Sequence, residues 1–290
     1  MRRQPRFAIH ELLRSAGRVY SRKQEILVNF LYRNYQKVAF MNVTELAKET
    51  KVSEATVVRL ATLLGFDGYP QLQKAVQRIV AQELTTLERV QMSLEQHELD
   101  HPMQRILKTD MRNLMRVYQH LAADEIDQVV RRILRAKRIV VAGFMASSPL
   151  ALYFGYALNR LLQNVATYTE DGLAATRTVF DLTKDDLLIA FAFPRYPVSL
   201  VNLAETAAAR SVPCVGFTDS GASPLSALAS PCLFLPFEML ALFDSLAAPL
   251  SFLAGLTAEI AKREPKRTAR NLKRFETLAA SFNLFHREAN

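Results

Sequence analysis

The chain has 290 residues, half of them hydrophobic, and a net charge of +9; that length fits two domains, each able to bury its own core. It contains no apolar run as long as the ~18 residues of a membrane span, and MRRQPRF leads into charged sequence rather than a signal core, so a cytoplasmic protein without a membrane partner is expected. Cys214 and Cys232 lie in separate apolar stretches with no histidine nearby, which points to buried free thiols; neither a metal nor a cofactor is expected.

The first helices are read at 7–16 and 21–36, the second with Ser21 as its cap and Ile26, Leu27, Phe30 and Leu31 as its buried stripe. Asn42 with Glu45 three residues on has the form of a capping box. From Val43 to Leu64 the apolar positions Val43, Leu46, Ala47, Val52, Val57, Leu60 and Leu64 follow helical spacing broken once. Two helices packed across a short corner require that pattern. Ala47 sits at their closest approach, and Ser53 is placed to cap the second helix by accepting from its first free N–H groups. That helix begins at Glu54, and its outward face offers Glu54, Ala55, Thr56, Arg59 and Thr62, small or polar groups suited to a major groove.

Gly65 closes the helix, and 66–70 turn into another helix carrying Lys74 and Arg78. Arg59 and Thr56 are the expected base readers, with Ser53, Lys51 and Lys74 on phosphates; Thr44, Glu54 and Ala55 complete the expected DNA-contacting set. Residues 1–80 carry fourteen Lys or Arg against six Asp or Glu, a net +8, whereas 121–260 carry ten against thirteen. A basic domain bearing such a helix is the footprint of duplex binding, because phosphate neutralisation supplies most non-specific affinity; the alternative is a basic surface kept for solubility. The basic run KREPKRTARNLKR near the C-terminus is read as a solvated face rather than a second DNA contact.

The segment LAKETKVSEATVVRLATLLGFDGYPQLQ resembles the N-terminal domain of the RpiR family of bacterial transcriptional regulators. One departure is Lys51, which fills the turn position often held by glycine; a left-handed lysine costs on the order of 1 kcal/mol.

From 71 to about 120 the pattern stays helical, with His101-Pro102 as a break. The domains are therefore drawn as 1–80, a helical linker over 81–123 that joins two protomers or merely connects, and 124–290. In the last, the β-branched runs Arg138–Phe144, Val165–Thr169, Leu187–Phe193, Cys214–Phe217 and Cys232–Leu235 alternate with helical segments, ending in a long helix from Met239 to Lys262. The expected fold is an all-α helix-turn-helix N-terminal domain followed by an α/β domain with a flavodoxin-like, five-stranded parallel sheet. Ligands of such sheets sit beyond the carboxyl ends of the strands, at the switch point.

Ser148-Pro149, Tyr196-Pro197 and Ser223-Pro224 each place a proline where a helix would start after a strand. Three converging helix N-termini would favour an anion, the alternative being serines that only cap their own helices. Here GFMASSPLALYFGYALNRLLQNV and LLIAFAFPRYPVSLVNLAETAAARSVPCVGFTDSGASPLSALA resemble the SIS (sugar isomerase) domain that RpiR-type regulators carry. The resemblance implies binding of a phosphorylated sugar or related small molecule and oligomerisation, with Ser147 facing the ligand phosphate. Met145 stands where a glycine is usual, and Phe193-Pro194-Arg195-Tyr196-Pro197 replaces the serine- and glycine-rich cradle, leaving Ser199 as a nearby hydroxyl.

Arg195 is read two ways: as a guanidinium that pairs with the ligand anion, or as the partner of Glu170 or Asp219. Tyr196 would stack on the ligand or hydrogen-bond it. Ser148, Asp219 and Glu238 complete the candidate effector set. An isomerase needs a general base, and His10, His97, His101, His120 and His286 all lie outside 121–285, leaving Glu170, Glu205 and Glu238 with no identifiable acid–base pair. The expected protein is a non-enzymatic regulator, a homodimer or homotetramer that binds an operator in double-stranded DNA and senses a sugar phosphate or sugar acid. The alternatives are an isomerase-like enzyme and a regulator whose SIS domain only oligomerises.

Overall fold

The computed structural model describes residues 9, 12–13, 20–83, 101–237 and 244–285. The chain divides into two compact units, Met1–Glu95 and Gln96–Asn290. The expected helix 7–16, the stretch 84–100 and Glu238 lie wholly or mostly outside the described residues.

In the first unit, helix α1 (Arg22–Val38) opens with Ser21 and Gln24 in a reciprocal capping box. Helix α2 (Val43–Thr50) opens in the same way through Asn42 and Glu45, at 2.7 and 2.9 Å. Helices α3 (Glu54–Leu63) and α4 (Tyr69–Glu83) complete the unit around Leu27, Leu31, Leu46, Leu60 and Leu72. The expected stripe of α1 is shifted: Leu27, Leu31, Tyr35 and Val38 are buried, whereas Ile26 is exposed, because burial follows every fourth residue from Leu27. From α4, the Tyr69 hydroxyl donates to the Met41 carbonyl at 2.7 Å, and Gln77 reaches the Ala39 carbonyl at 2.8 Å. These bonds satisfy carbonyls of the cap and short connection that follow α1.

The second unit begins its described part with α5 (Pro102–Gln119) and α6 (Ala123–Arg135). Helix α5, read from sequence as part of a linker, packs on the later helix α10 (Ala247–Arg263) and belongs to this unit. The sheet consists of β1 (Ile139–Gly143), β2 (Val165–Tyr168), β3 (Leu187–Ala192), β4 (Cys214–Thr218) and β5 (Cys232–Phe234), all parallel in the order 2-1-3-4-5. Helices α7 (Ser148–Leu162), α8 (Leu173–Phe180) and α9 (Val198–Ala209) make the crossovers. One face of the sheet buries Phe154, Phe191 and Phe217 with the rings of Phe191 and Phe217 stacked at 5.0 Å; the other buries Leu188, Ala190, Leu200 and Leu203. Burial on both faces explains the continuous apolar runs of the inner strands β1, β3 and β4.

The last part differs from expectation. Residues 244–246 are not helical, and α10 starts at Ala247, with Pro249 in its first turn. A helix running on from Met239 would place that proline in its interior, where it breaks a hydrogen bond and clashes. A further helix, α11 (Pro265–Ser281), contains most of the basic run. Arg267 and Asn271 of that helix donate to the carbonyls of Leu162 and Leu161 at 2.9 and 2.6 Å, closing the end of α7. No helix among the described residues is long and apolar enough to cross a membrane.

Candidate nucleic-acid interface and effector crevice

The corner between α2 and α3 is built by backbone geometry. Lys51 takes φ 55° and ψ 38°, the left-handed conformation expected at this turn, and the Val52 N–H donates to the Ala47 carbonyl at 3.0 Å. Ala47 is buried between the helices, where a larger side chain would separate them. Ser53 stands at the cap position of α3, but its side chain makes no capping bond. Its hydroxyl instead meets the Thr56 hydroxyl at 2.8 Å, and the first turn is closed by the Thr56 N–H on the Ser53 carbonyl, also 2.8 Å.

Thr56, expected among the outward groups, is buried together with Val57, Leu60 and Ala61. It lies four residues before Leu60, and so on the core side; that spacing was the available signal. The exposed face of α3 consists of Glu54, Ala55, Val58, Arg59 and Thr62. Val58 is the residue that sequence reasoning missed: an exposed β-branched group of the kind that contacts a thymine methyl. Thr44, Lys51, Ser53 and Lys74 are all exposed. Gly65 follows the helix at φ 93°, a conformation that strains any residue with a Cβ.

In the second unit the order reverses between β1 and β3, so the loops after these neighbouring strands open a crevice at their carboxyl ends. Gly143 permits the first loop to fold tightly, since a Cβ there would stand 2.7 Å from the Ser147 carbonyl oxygen. Met145 takes φ 53°, which explains the glycine usual at this position. Ser147 is buried, and its hydroxyl accepts from the Phe193 N–H at 3.3 Å. The side chain expected to face a phosphate thus ties the first loop to the third strand's end. Ser148 and Ser199 are half-buried in the first turns of α7 and α9.

Tyr196 and Asp219 form one unit: the phenol donates to the carboxylate at 2.7 Å, and the Thr218 and Ser220 hydroxyls reach the same carboxylate at 3.2 and 3.3 Å. Burial, with the Asp219 charge beside it, raises the Tyr196 pKa above its ordinary value, so the phenol stays protonated and donating. Arg195 is exposed beside this pair. The expected third helix start is corrected: Ser223-Pro224 opens a 3-10 turn of four residues, and the Ser223 hydroxyl accepts from the Leu225 N–H within it at 3.3 Å. Two α-helix N-termini, those of α7 and α9, therefore face the crevice. Burial pushes the thiols of Cys214 and Cys232 up to about 12, leaving both as inert free thiols. Among the described residues no cluster of His, Cys, Asp and Glu is able to hold a metal ion.

The comparisons match both halves. Residues 8–83 match the family described as helix-turn-helix domain, rpiR family, and residues 132–258 match the SIS domain. This is a chain of the RpiR type. The sugar isomerase domain of an RpiR transcription factor from Sphaerobacter thermophilus is similar at 29% identity, over 61% of this chain and 99% of that one, with a TM-score of 0.59. Vibrio vulnificus NanR, solved with ManNAc-6P, shares the fold over 95% of this chain and 98% of its own, at 22% identity and a TM-score of 0.60. A search of curated proteins finds no match. In this RpiR-type chain the helix-turn-helix comprises α2 and α3, and the SIS domain contains the crevice.

Proposed function

We propose that the chain is a DNA-binding transcriptional regulator whose SIS domain senses a sugar phosphate or another small anionic carbohydrate derivative. The observation that carries this reading is the pairing of an exposed, largely polar face on α3, the second helix of the helix-turn-helix, with a sheet in the second unit whose strand order reverses between β1 and β3. Arg59 and Val58 supply base contacts, while Lys51, Ser53 and Lys74 hold phosphates. The effector lies against the N-termini of α7 and α9, with Arg195 as its charged contact and the Tyr196–Asp219 pair shaping the neutral part of the pocket. The ManNAc-6P held by the NanR neighbour supports a sugar phosphate as the first class to test. Two or more protomers present paired recognition helices to half-sites one helical turn, or a multiple, apart. Coupling of only ~1 to 3 kcal/mol between effector and operator suffices for control.

A second reading, in which the SIS domain only assembles protomers, is favoured by one observation: Ser147 is buried and its oxygen accepts from the Phe193 N–H, which leaves only its O–H to offer a ligand. The test is a gel shift of the full chain with its own upstream DNA at two salt concentrations, with and without a panel of sugar phosphates and sugar acids. A specific shift altered by one compound supports the sensor. A specific shift that no compound alters supports assembly alone, and no specific shift overturns the regulator and calls for isomerase assays. Within the same experiment, Arg59→Ala should relax base preference by about 1 to 3 kcal/mol at one position. Lys74→Ala should weaken all sequences evenly and lower the salt slope by about 1. Uniform losses from both variants contradict the assignment.

A further inference from the structure

A cavity of about 580 Å³ lies between α5, α6 and α10, within the roughly 300–1,000 Å³ typical of small-molecule sites. Its lining is mainly apolar, with Val117 from α5, Ile126 from α6, and Phe252 and Leu256 from α10. No residue of the loops after β1 and β3 lines it, so it is distinct from the effector crevice.

Gly255 stands in the α10 wall, on one stripe with Glu259 and Arg263. Inside a helix, glycine is less favourable than any residue but proline, so its presence at mid-helix asks for a reason. Neither usual reason applies. Its backbone is helical, and a Cβ placed on it meets nothing within 4 Å among the described residues, so no close approach demands a glycine. A longer side chain at this position would instead occupy the cavity.

The charges at the rim cancel. Arg263 bonds the Asp127 carboxylate and, from Nε at 2.9 Å, Glu259, while Arg131 stands 4.0 Å from Asp127. Two guanidiniums thus serve two carboxylates. An ionic ligand would have to break a pair already made and carry its charge against an apolar floor, whereas an uncharged one leaves the rim intact.

We infer that this cavity is a second ligand site, which takes an uncharged, mainly apolar small molecule whose body lies over Gly255. The volume, the unfilled glycine and the self-neutralised rim carry this. None of the three enters the proposed function, so the test reads ligand uptake and not DNA binding.

The experiment is a fluorescence anisotropy titration of the full chain with three probes that share one ring system and differ in charge: 1-pyrenemethanol, pyrene-1-carboxylate and 1-pyrenemethylammonium. The neutral alcohol should saturate at one per chain and bind about tenfold or more tighter than either ion. Gly255→Leu should weaken the alcohol about tenfold or more, and Gly255→Ala less, with far-UV circular dichroism unchanged and a thermal midpoint at or above wild type, because either residue suits a helix better than glycine. Absence of saturable uptake of the alcohol overturns the inference. Variants that bind it as tightly as wild type overturn it as well, since the probe then sits elsewhere. An ion that binds as well as the alcohol, and is lost in Gly255→Leu, overturns the uncharged class. Sedimentation velocity completes the test: no uptake, joined to a changed mass for Gly255→Leu, assigns the groove to a second copy of the chain and overturns the ligand site. A chain that fails to shift its operator but takes up the alcohol counts against the regulator and leaves this inference standing.

Discussion

Asp186 is charged yet 3% exposed, and its environment explains how. The Arg138 guanidinium reaches it at 2.7 Å, and the Thr183 N–H and hydroxyl donate at 2.8 and 2.9 Å. These donors hold its carboxyl down at about 2, below the ordinary 3.8. On acidification the unfolded chain therefore takes up the proton first. The stabilisation is complete above about pH 4 and is lost as pH falls through about 2. Asp186→Asn should cost about 2 kcal/mol at neutral pH, a figure kept low because half of Arg138 faces water. Urea unfolding at pH 7 and at pH 2.5 should show that penalty shrinking with acid; an equal penalty at both would mean that charge is not the source. Lys51 makes a second case. Lys51→Gly should relieve its left-handed strain and stabilise the unit by ~0.5 to 1 kcal/mol while lowering the salt slope of DNA binding by about 1. A gain in stability with an unchanged slope would remove Lys51 from the phosphates.

At the scale of elements, local rules did well wherever the signal was local. The Ser21 cap, the Asn42–Glu45 capping box, the left-handed Lys51, the terminating Gly65 and all five strands can be seen in neighbouring residues, because caps, turns and runs of β-branched residues leave marks within a few positions, whereas the reciprocal bond of Gln24 at Ser21 was not read. What escaped was long-range. Ser147 and Phe193 lie 46 residues apart, and no spacing says that one will bond the other. Thr56 was misplaced by its polarity, since a small hydroxyl satisfied by Ser53 is easily buried. The basic run 262–274 is solvated as read, with Lys262, Arg263, Lys266, Arg270, Lys273 and Arg274 exposed, but nothing in it announces that Asn271 is buried against Leu161. Asn271→Ala should thus leave a buried carbonyl without its donor and cost about 1 to 3 kcal/mol, read as a lower thermal midpoint. An unaffected midpoint would mean that water replaces the amide.

For the whole molecule, the proposed function divides the labour between the two units along the charge boundary visible in the sequence. The net +8 of residues 1–80 sits with the recognition helix, and the slightly acidic 121–260 sits with the crevice. That division yields a separable phenotype. Arg195→Ala should abolish any effector response in the gel shift while leaving operator affinity within about twofold, because it adds nothing to phosphate neutralisation on DNA. A retained response would exclude Arg195 from the effector contact.

Helix α7 has one further consequence. Its first turn follows the loop after β1, and its last carbonyls are held by Arg267 and Asn271, so a single rod about 22 Å long joins that loop to α11. Trimming the tail, or a fusion that pries α11 away, would fray that rod from its far end. Amide exchange along 148–162 would then register the damage before the loop itself had been touched.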